Sequence, residues 1–561
     1  MVNAKTIGFF AAQGGHYNVK MTKYIFVTGG VISGIGKGIT TASLGRLLIN
    51  RGFKVIVVKI DPYLNVDAGV MNPFQHGEVF VTHDGAETDL DIGNYERFLG
   101  IDLNQYSNFT TGSVYSEVIA KERRGDYLGQ TVQLIPHITD EIKRRIYQIG
   151  KDNEAEIVIT EIGGTIGDFE MPPFVEAIRQ MAVEVGRQNT MFLHVSLIYT
   201  LPNGESKSKP TQHSIRKLQE LGVQPDLLLC RTSQPLEETF RQKIALLCGI
   251  SEEYIFEGLD TKCVDEIPLN FERQGMGHLV LKRFGLETRP PMDAEWAAMV
   301  EKLKNPKHET RIAVVGKYTT GSDAYISVQE ALKHGGIANA AAVDIEWIEA
   351  EALTEHPDLD TVFKDVAGIL VPGGFGYRGI EGMLVAAKYA RENRIPYFGL
   401  CLGMQCLVIE FARHAAHLKG ANSTEVDSET PHPVIDLMLE QRAIADMGAT
   451  MRLGIYPCVL RENTKSYTAY QQPIIVERHR HRYELNNAYR SELEAAGLCF
   501  SGLSPDESLV EIAEVMDHPW MVGSQFHPEF QSKPLAPHPL FREFIAAVLR
   551  HQEQSKECDA S

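Results

Sequence analysis

Phe398-Gly399-Leu400-Cys401-Leu402-Gly403-Met404-Gln405 places one cysteine between an apolar strand and a helix pattern that runs from Leu402 to His414. A sulfur at such a turn lies near a helix N-terminus, which favours thiolate over thiol. Far downstream, Gln525-Phe526-His527-Pro528-Glu529-Phe530 adds an imidazole and a carboxylate. These are the parts needed to open a side-chain amide through a thioester. Cys401 attacks, His527 protonates the departing ammonia and then activates water, and Glu529 holds the ring. The glycines of Pro372-Gly373-Gly374-Phe375-Gly376, just after another apolar run, would offer backbone N–H groups to the oxyanion. Taken singly, a buried cysteine, a structural histidine and an ordinary turn look the same, and it is their combination that points to amide hydrolysis.

Working outward, Cys401 belongs to the second of two alternating series. Strand-like runs at Ile312-Ala313-Val314-Val315, Ala367 to Val371, Pro396 to Leu400 and Trp520 to Gln525 have helices between them and define a domain over 310–552. Upstream, runs at Lys54 to Ile60, Ile157 to Glu161 and Met191 to Ile198 alternate with helix patterns at Ile39 to Asn50, Thr139 to Gln148 and Pro173 to Gly186, giving a domain over 21–284. Apolar strands separated by helices predict an α/β fold with two doubly wound parallel-sheet domains. Arg289-Pro290-Pro291, a short helix around Trp296 to Leu303 and Asn305-Pro306-Lys307 mark 285–309 as the linker. Residues 1–20 read as a flexible extension and 553–561 as a frayed tail.

Composition bounds the partners. The 561 residues carry a formal charge of -18 from 73 acidic and 55 basic side chains, which argues against general affinity for nucleic acid or anionic membranes. Anionic ligands must therefore find local basic sites. Eight cysteines without paired metal-ligand spacing fit a reducing compartment. With no signal-peptide pattern and no apolar run of about 18 residues, a cytoplasmic protein is expected.

Tyr24 to Leu48 has the order strand, glycine-rich loop, helix that points backbone N–H groups and Lys37 at phosphates. It departs from the usual pattern. Five residues separate Gly30 from Gly36, and Gly38 stands where a metal-binding Ser or Thr normally follows the lysine. Asp89, Asp91 and Glu161 near strand ends, with Lys37 and Lys59, would concentrate charge for magnesium and phosphate, although acidic strand ends also occur on solvated surfaces. Lys121 to Tyr127 and Lys207 to His213 read either as triphosphate-binding segments or as charged surface loops.

Residues 311–552 resemble the class I glutamine amidotransferase domain. That resemblance implies Cys401, His527 and Glu529 as the triad and Gly374 in the oxyanion hole. It also implies that Gln405, Glu425 and Arg482 bind glutamine and that Phe375 lines the glutamine pocket and ammonia exit. Gln75 to Thr82, Asp84 to Asp91, Glu161 to Asp168, Lys207 to His213 and Glu477 to Glu484, in this domain order, resemble the CTP synthase family from about Thr22 to Leu549. The family implies a dethiobiotin-synthetase-like, P-loop-like N-terminal synthetase domain. Its reaction phosphorylates the uracil O4 of UTP with ATP and then aminates C4. By correspondence Ser33, Gly34, Ile35, Gly36, Lys37, Gly38, Lys59, Asp91 and Arg231 bind ATP, and Asp91 and Glu161 bind Mg2+. Ser33, Asp168, Phe169, Glu170, Lys207, Lys209, Gln212 and Lys243 bind UTP or CTP, and His76 and Phe375 border the ammonia path.

The resemblance further implies activation by GTP, feedback inhibition by CTP, and homotetramers formed from dimers that assemble into filaments. Two departures bear on regulation. Phe169 replaces an often aliphatic residue, and the chain is short between Leu437 and Met451, before the Met451-Arg452-Leu453-Gly454 region linked to GTP response. The competing readings are a cobyrinic or cobyric acid-type amidoligase and a catalytically silent nucleotide-binding assembly protein.

Overall fold

A computed structural model of the chain describes residues 22–319, 321, 323–355, 358–437 and 451–560. The extension read over 1–20 and the short segment between Leu437 and Met451 lie outside the described residues. The first sheet has seven strands: β1 (Lys23–Gly29), β2 (Val55–Asp61), β3 (Asn108–Thr110), β4 (Ile157–Ile162), β5 (Thr190–Leu197), β6 (Leu227–Thr232) and β7 (Ile255–Leu259). Their order is β7-β6-β5-β1-β4-β2-β3, and every neighbouring pair is parallel. Every residue of β2 and β4 is buried, so these strands read as nearly unbroken apolar runs. Helices α1 (Lys37–Asn50), α2 (Asp91–Leu99), α3 (Thr139–Asp152) and α4 (Pro172–Glu184) cover the sheet.

The linker is not a free tether. Helix α5 (Ala294–Lys304) buries Trp296 completely, and its indole Nε1 donates to Asp265 O at 2.7 Å. His308 and Glu309, assigned to the linker by sequence, already belong to β8 (His308–Gly316). The second sheet continues with β9 (Ala341–Glu349), β10 (Gly368–Val371), β11 (Tyr397–Leu400), β12 (Arg452–Leu460), β13 (Ile474–His481), β14 (Leu498–Leu503), β15 (Val510–Val515) and β16 (Met521–Ser524). Its nine strands run β9-β8-β10-β11-β16-β15-β14-β12-β13. The stretch from β9 to β16 is the expected parallel core. From β16 to β13 the pairing turns antiparallel, because short connections such as that from β15 to β16 return the chain as hairpins.

Helices α6 (Ile326–Ala338), α7 (Leu402–His414) and α8 (Pro539–Ala560) pack on this sheet. Helix α8 carries its turns through 553–560, where a frayed tail was expected, since neither Gly nor Pro interrupts the segment. No helix among the described residues is long and apolar enough to cross a membrane.

The two domains lock through a segment of the first that is rich in acidic groups. Fully buried Arg478 pairs with Glu96 at 2.9 Å and donates to Val81 O at 3.1 Å. Arg480 pairs with Glu87 at 2.8 Å, and the Phe80 and Phe530 rings meet edge to face at 5.1 Å. A Cβ on Gly454 would fall 2.8 Å from the Gly85 nitrogen, so glycine is what lets these two backbones touch. Stranding one partner of a buried ion pair costs about 3–5 kcal/mol, which makes Arg478 and Glu96 a firm constraint on domain orientation.

Two candidate active sites

Cys401 follows β11 and caps α7 with φ 50° and ψ -98°, a strained conformation for a residue with a Cβ. Its surroundings over-determine it. Cys401 N donates to Ser524 O at 2.7 Å, and the Tyr397 hydroxyl donates to Gly403 O at 2.8 Å. A Cβ on Gly403 would lie 2.0 Å from Val371 O, so only glycine lets α7 start this close to β10. The result is a sharp elbow that aims the sulfur at the loops following β10 and β16.

His527 and Glu529 follow β16, with Nδ1 2.7 Å from Glu529 Oε1. The other ring nitrogen, Nε2, is buried and has no hydrogen-bond partner among the described residues, which leaves it for the thiol proton and the departing amine. Gly373 closes the constellation, since a Cβ there would meet His527 Cε1 at 2.8 Å and Cys401 Cβ at 3.7 Å. These groups line a cavity of about 400 Å³ with Gly374, Phe375, Glu425 and Arg482. Gln405 is absent from that lining; its amide donates to Tyr483 O at 3.1 Å, and Tyr483 does line it. Glu425 accepts from Gly376 N at 2.7 Å and so ties the glycine loop down. Lys317, missed by sequence reading, donates to Phe375 O at 3.1 Å from beneath, and burial lowers its ammonium to about 8.

Burial alone would disfavour a charged His527. The Glu529 carboxylate and the Cys401 sulfur outweigh it and raise the imidazole to about 10. Because the unfolded value is 6.5, the stabilisation is complete below pH 6.5 and is lost as pH rises through about 10. We expect the His527 imidazole to stay protonated at pH 8 in the free protein and to titrate near 10. Cys401→Ala, which removes one of the two groups that raise it, should lower that value. A ¹⁵N-histidine NMR titration reads both, and a neutral ring at pH 8 would contradict the ion pair.

At the other site the chain passes from β1 through a loop whose Val31, Gly34 and Gly36 have φ of 83°, 69° and 89°. Gly38, the departure from the usual pattern, has a physical reason. A Cβ there would lie 2.1 Å from Asp91 Oδ1, so this carboxylate occupies the space where a Ser or Thr side chain would begin. Lys37 crosses the loop and donates to Gly164 O at 2.7 Å; burial dominates and lowers its ammonium. Arg231 at the end of β6 donates to Ile35 O at 3.3 Å, and a cavity of about 240 Å³ opens beside it, lined by Gly36, Ile39, Gly258 and Phe271.

Lys59 is the hub. Its Nζ touches Asp91, lies 3.2 Å from Glu161 and 3.6 Å from Asp89, and reaches Asp61 at 3.9 Å. Burial opposes the charge, but these carboxylates prevail and hold the ammonium well above its usual value. Asp91 would be raised by burial, yet Lys59 keeps it below the ordinary range. Glu161 is raised by burial, and Asp61 is raised by burial and by Asp89. Four carboxyl groups thus surround Lys59, and their oxygen donors are of the hard type that suits magnesium. Among the described residues no three such groups converge in metal-binding geometry, since the Lys59 ammonium stands between them. Asp61, the last residue of β2, was not singled out from sequence. His76 lies 3.5 Å from Asp89.

The residues matched to pyrimidine binding do not come together. Fully exposed Phe169 and Glu170 line a groove of about 1150 Å³ with Tyr63, Leu134 and Ile135. The Asp168 carboxylate accepts from Thr165 N at 2.9 Å. Lys207 pairs with Glu205 on a short hairpin, Lys209 and Gln212 open the helix Lys209–Glu220, and Lys243 lies on Glu238–Cys248; none of the four lines that groove.

Fold and sites together define a glutamine-dependent ligase: a class I amidotransferase domain docked on a phosphate-loop domain. Comparison narrows this. Residues 23–286 match the model described as CTP synthase N-terminus, and 321–547 match glutamine amidotransferase class-I. The chain is 59% identical over 530 residues to CTP synthase of Caldanaerobacter subterraneus subsp. tengcongensis, covering 94% of this chain and 98% of that protein. It is 56% identical over 531 residues to CTP synthase of Geobacillus kaustophilus, covering 94% and 100%. A solved Trypanosoma brucei CTPS glutaminase domain with bound acivicin is 41% identical, with TM-score 0.40, over 43% of this chain and 94% of that one. The chain belongs to the CTP synthase family.

Proposed function

We propose that the chain makes CTP from UTP, ATP and glutamine, with Mg2+ at Asp91 and Glu161. The observation that carries this is the pairing, within one locked two-domain body, of the Cys401–His527–Glu529 elbow with the Lys37–Lys59–Asp91–Glu161 cluster. The first site generates ammonia. Cys401 thiolate attacks the glutamine amide carbon, the backbone at Gly373 and Gly374 receives the oxyanion, and His527 passes a proton to the leaving ammonia. Water, deprotonated by His527, then cleaves the thioester and frees glutamate.

The second site activates the acceptor. Uracil O4 attacks the γ-phosphorus of ATP as the N3 proton is lost and ADP departs, which gives O4 a good leaving group. Ammonia adds at C4, loses a proton and expels phosphate, leaving CTP. Lys37 and the loop N–H groups hold the ATP phosphates, and Lys59 swings from the carboxylates to the transferred group. Bound magnesium would neutralise charge developing on the phosphate oxygens. Arg231 borders the adenosine end. The cavity shared by Cys401 and Phe375 is also lined by Pro73, Glu78 and Val79 of the first domain, which supports an internal ammonia path.

Exposed Leu64, Leu134, Ile135 and Phe169 gather at the Phe169–Glu170 groove, an apolar surface that a second subunit would cover, in keeping with the homotetramer of the family reading. GTP activation, CTP inhibition, filaments and a cytoplasmic location follow from the family reading. The test of the chemistry is UTP labelled with ¹⁸O at O4: the label should leave entirely in inorganic phosphate, and label-free phosphate would sink the phosphorylated intermediate.

A further inference from the structure

A chain of buried side chains joins the two sites across the domain boundary. Asn94 Nδ2 donates to Asp91 Oδ1 at 3.2 Å, and Arg97 Nη2 donates to Asn94 Oδ1 at 2.8 Å. The other arm of the same guanidinium, Nη1, donates to Ser327 Oγ in the second domain at 3.1 Å. Ser327 passes the link on: its hydroxyl donates to one Glu78 oxygen and its backbone N–H to the other at 3.2 Å. Asn94, Arg97, Ser327 and Glu78 are all buried.

Each end of this chain touches working parts. Asp91 is the carboxylate that Lys59 grips and that crowds Gly38 of the phosphate loop. Glu78 lines the glutaminase cavity beside Cys401 and His527, and so do Ala324, Tyr325 and Val328 at the start of α6. A carboxylate on the first turn of a helix is bound by its free N–H groups and its dipole, so Glu78 pins that wall of the cavity from the opposite domain.

We propose that Asn94, Arg97, Ser327 and Glu78 are positioning residues that report loading of the nucleotide site to the glutaminase. This rests on the assignment of Asp91 to the cation and ATP site. While Lys59 holds Asp91, the relay stands as described. When Lys59 turns to phosphate and Asp91 to the cation, the acceptor for Asn94 moves, and Arg97, held at both ends, shifts its hold on Ser327. Because every link is buried, a broken one leaves a polar group unsatisfied, so the elements move together. The consequence is that glutamine is cleaved fastest when ATP and UTP are in place.

Ser327→Ala, Arg97→Gln and the double variant test this, each assayed as the full-length protein for three rates: glutamine hydrolysis without nucleotide, hydrolysis with ATP, UTP and magnesium, and ammonia-dependent CTP formation. We expect each single variant to cut the nucleotide stimulation of hydrolysis by about fivefold or more, the lower range for coupled sites. The double variant should lose no more than either single one, as for one shared relay. Nucleotide-free hydrolysis and ammonia-dependent synthesis should stay within about twofold, which also shows that the variants fold. Unchanged stimulation, losses that multiply, a parallel fall in all three rates, or wild-type hydrolysis indifferent to nucleotide would each overturn the relay. Asp91→Asn in the ammonia-dependent assay tests the underlying assignment separately: retained synthesis would remove it, whereas lost synthesis with an intact Ser327→Ala response would remove the relay alone.

Discussion

Cys401→Ala will lower glutamine-dependent CTP formation by at least about 10⁴-fold, the scale on which an enzyme loses its covalent nucleophile. Ammonia-dependent formation will stay within about twofold of the parent. The size follows from the site: in the described glutaminase cavity Cys401 is the one thiol beside His527, and Cys406, on the same helix, is fully buried with its thiol pushed up to about 12. The selectivity follows from the fold. The elbow is built by backbone contacts from Ser524, Gly403 and Val371, none of which needs the sulfur, so the domain interface survives its removal. CTP measured by chromatography with each nitrogen source checks both halves. Equal losses would mean that the sulfur supports the structure instead of the chemistry.

Asp91→Asn and Glu161→Gln should act in the complementary way, lowering CTP formation from glutamine and from ammonia alike by about 10³-fold or more, as expected when the charge that gathers phosphate oxygens is lost. Nucleotide-free glutamine hydrolysis should persist. Stability gives a second sign. Burial raises the Glu161 carboxyl above its ordinary 4.5, so its ionised form is disfavoured in the fold, and the neutral amide relieves that cost while losing charge pairing with Lys59. Scanning calorimetry at neutral pH should therefore show at most a small drop in Tm for Glu161→Gln. Lys59→Ala should fall much further, because it strands four carboxylates around an empty centre.

The grouping of Cys401, His527 and Glu529 was legible in sequence because its signals are local. A cysteine at a strand end and an acid two residues beyond a histidine need no knowledge of distant contacts. The phosphate loop was legible for the same reason, but its anomaly was not. Gly38 makes sense only once Asp91, brought in from the start of α2, is seen to fill its place. The roles of Asp61, Lys317, Arg478 and Arg480 stayed hidden because a lone charge reads as solvated until distant parts of the chain cover it. The antiparallel half of the second sheet was equally opaque: β12 alternates buried and exposed residues with glycine and proline inside, a weaker pattern than the apolar runs of β10 and β11. The pyrimidine residues show the opposite limit. Lys207, Gln212 and Lys243 match by correspondence, yet the fold does not gather them at the Phe169–Glu170 groove, a placement that correspondence along the sequence did not foretell.

In the proposed reaction, ammonia released at Cys401 is used at the Lys59–Asp91–Glu161 site without passing through bulk water. Its most direct test supplies glutamine labelled with ¹⁵N in the side-chain amide together with excess unlabelled ammonium, ATP, UTP and magnesium at near-neutral pH, and reads the isotope at N4 of CTP by mass spectrometry. We expect N4 strongly enriched in glutamine-derived nitrogen early in the reaction, far above the bulk ratio, with the enrichment abolished by Cys401→Ala. Label at the bulk ratio in the parent protein, or no CTP from either source in a folded sample, would contradict it.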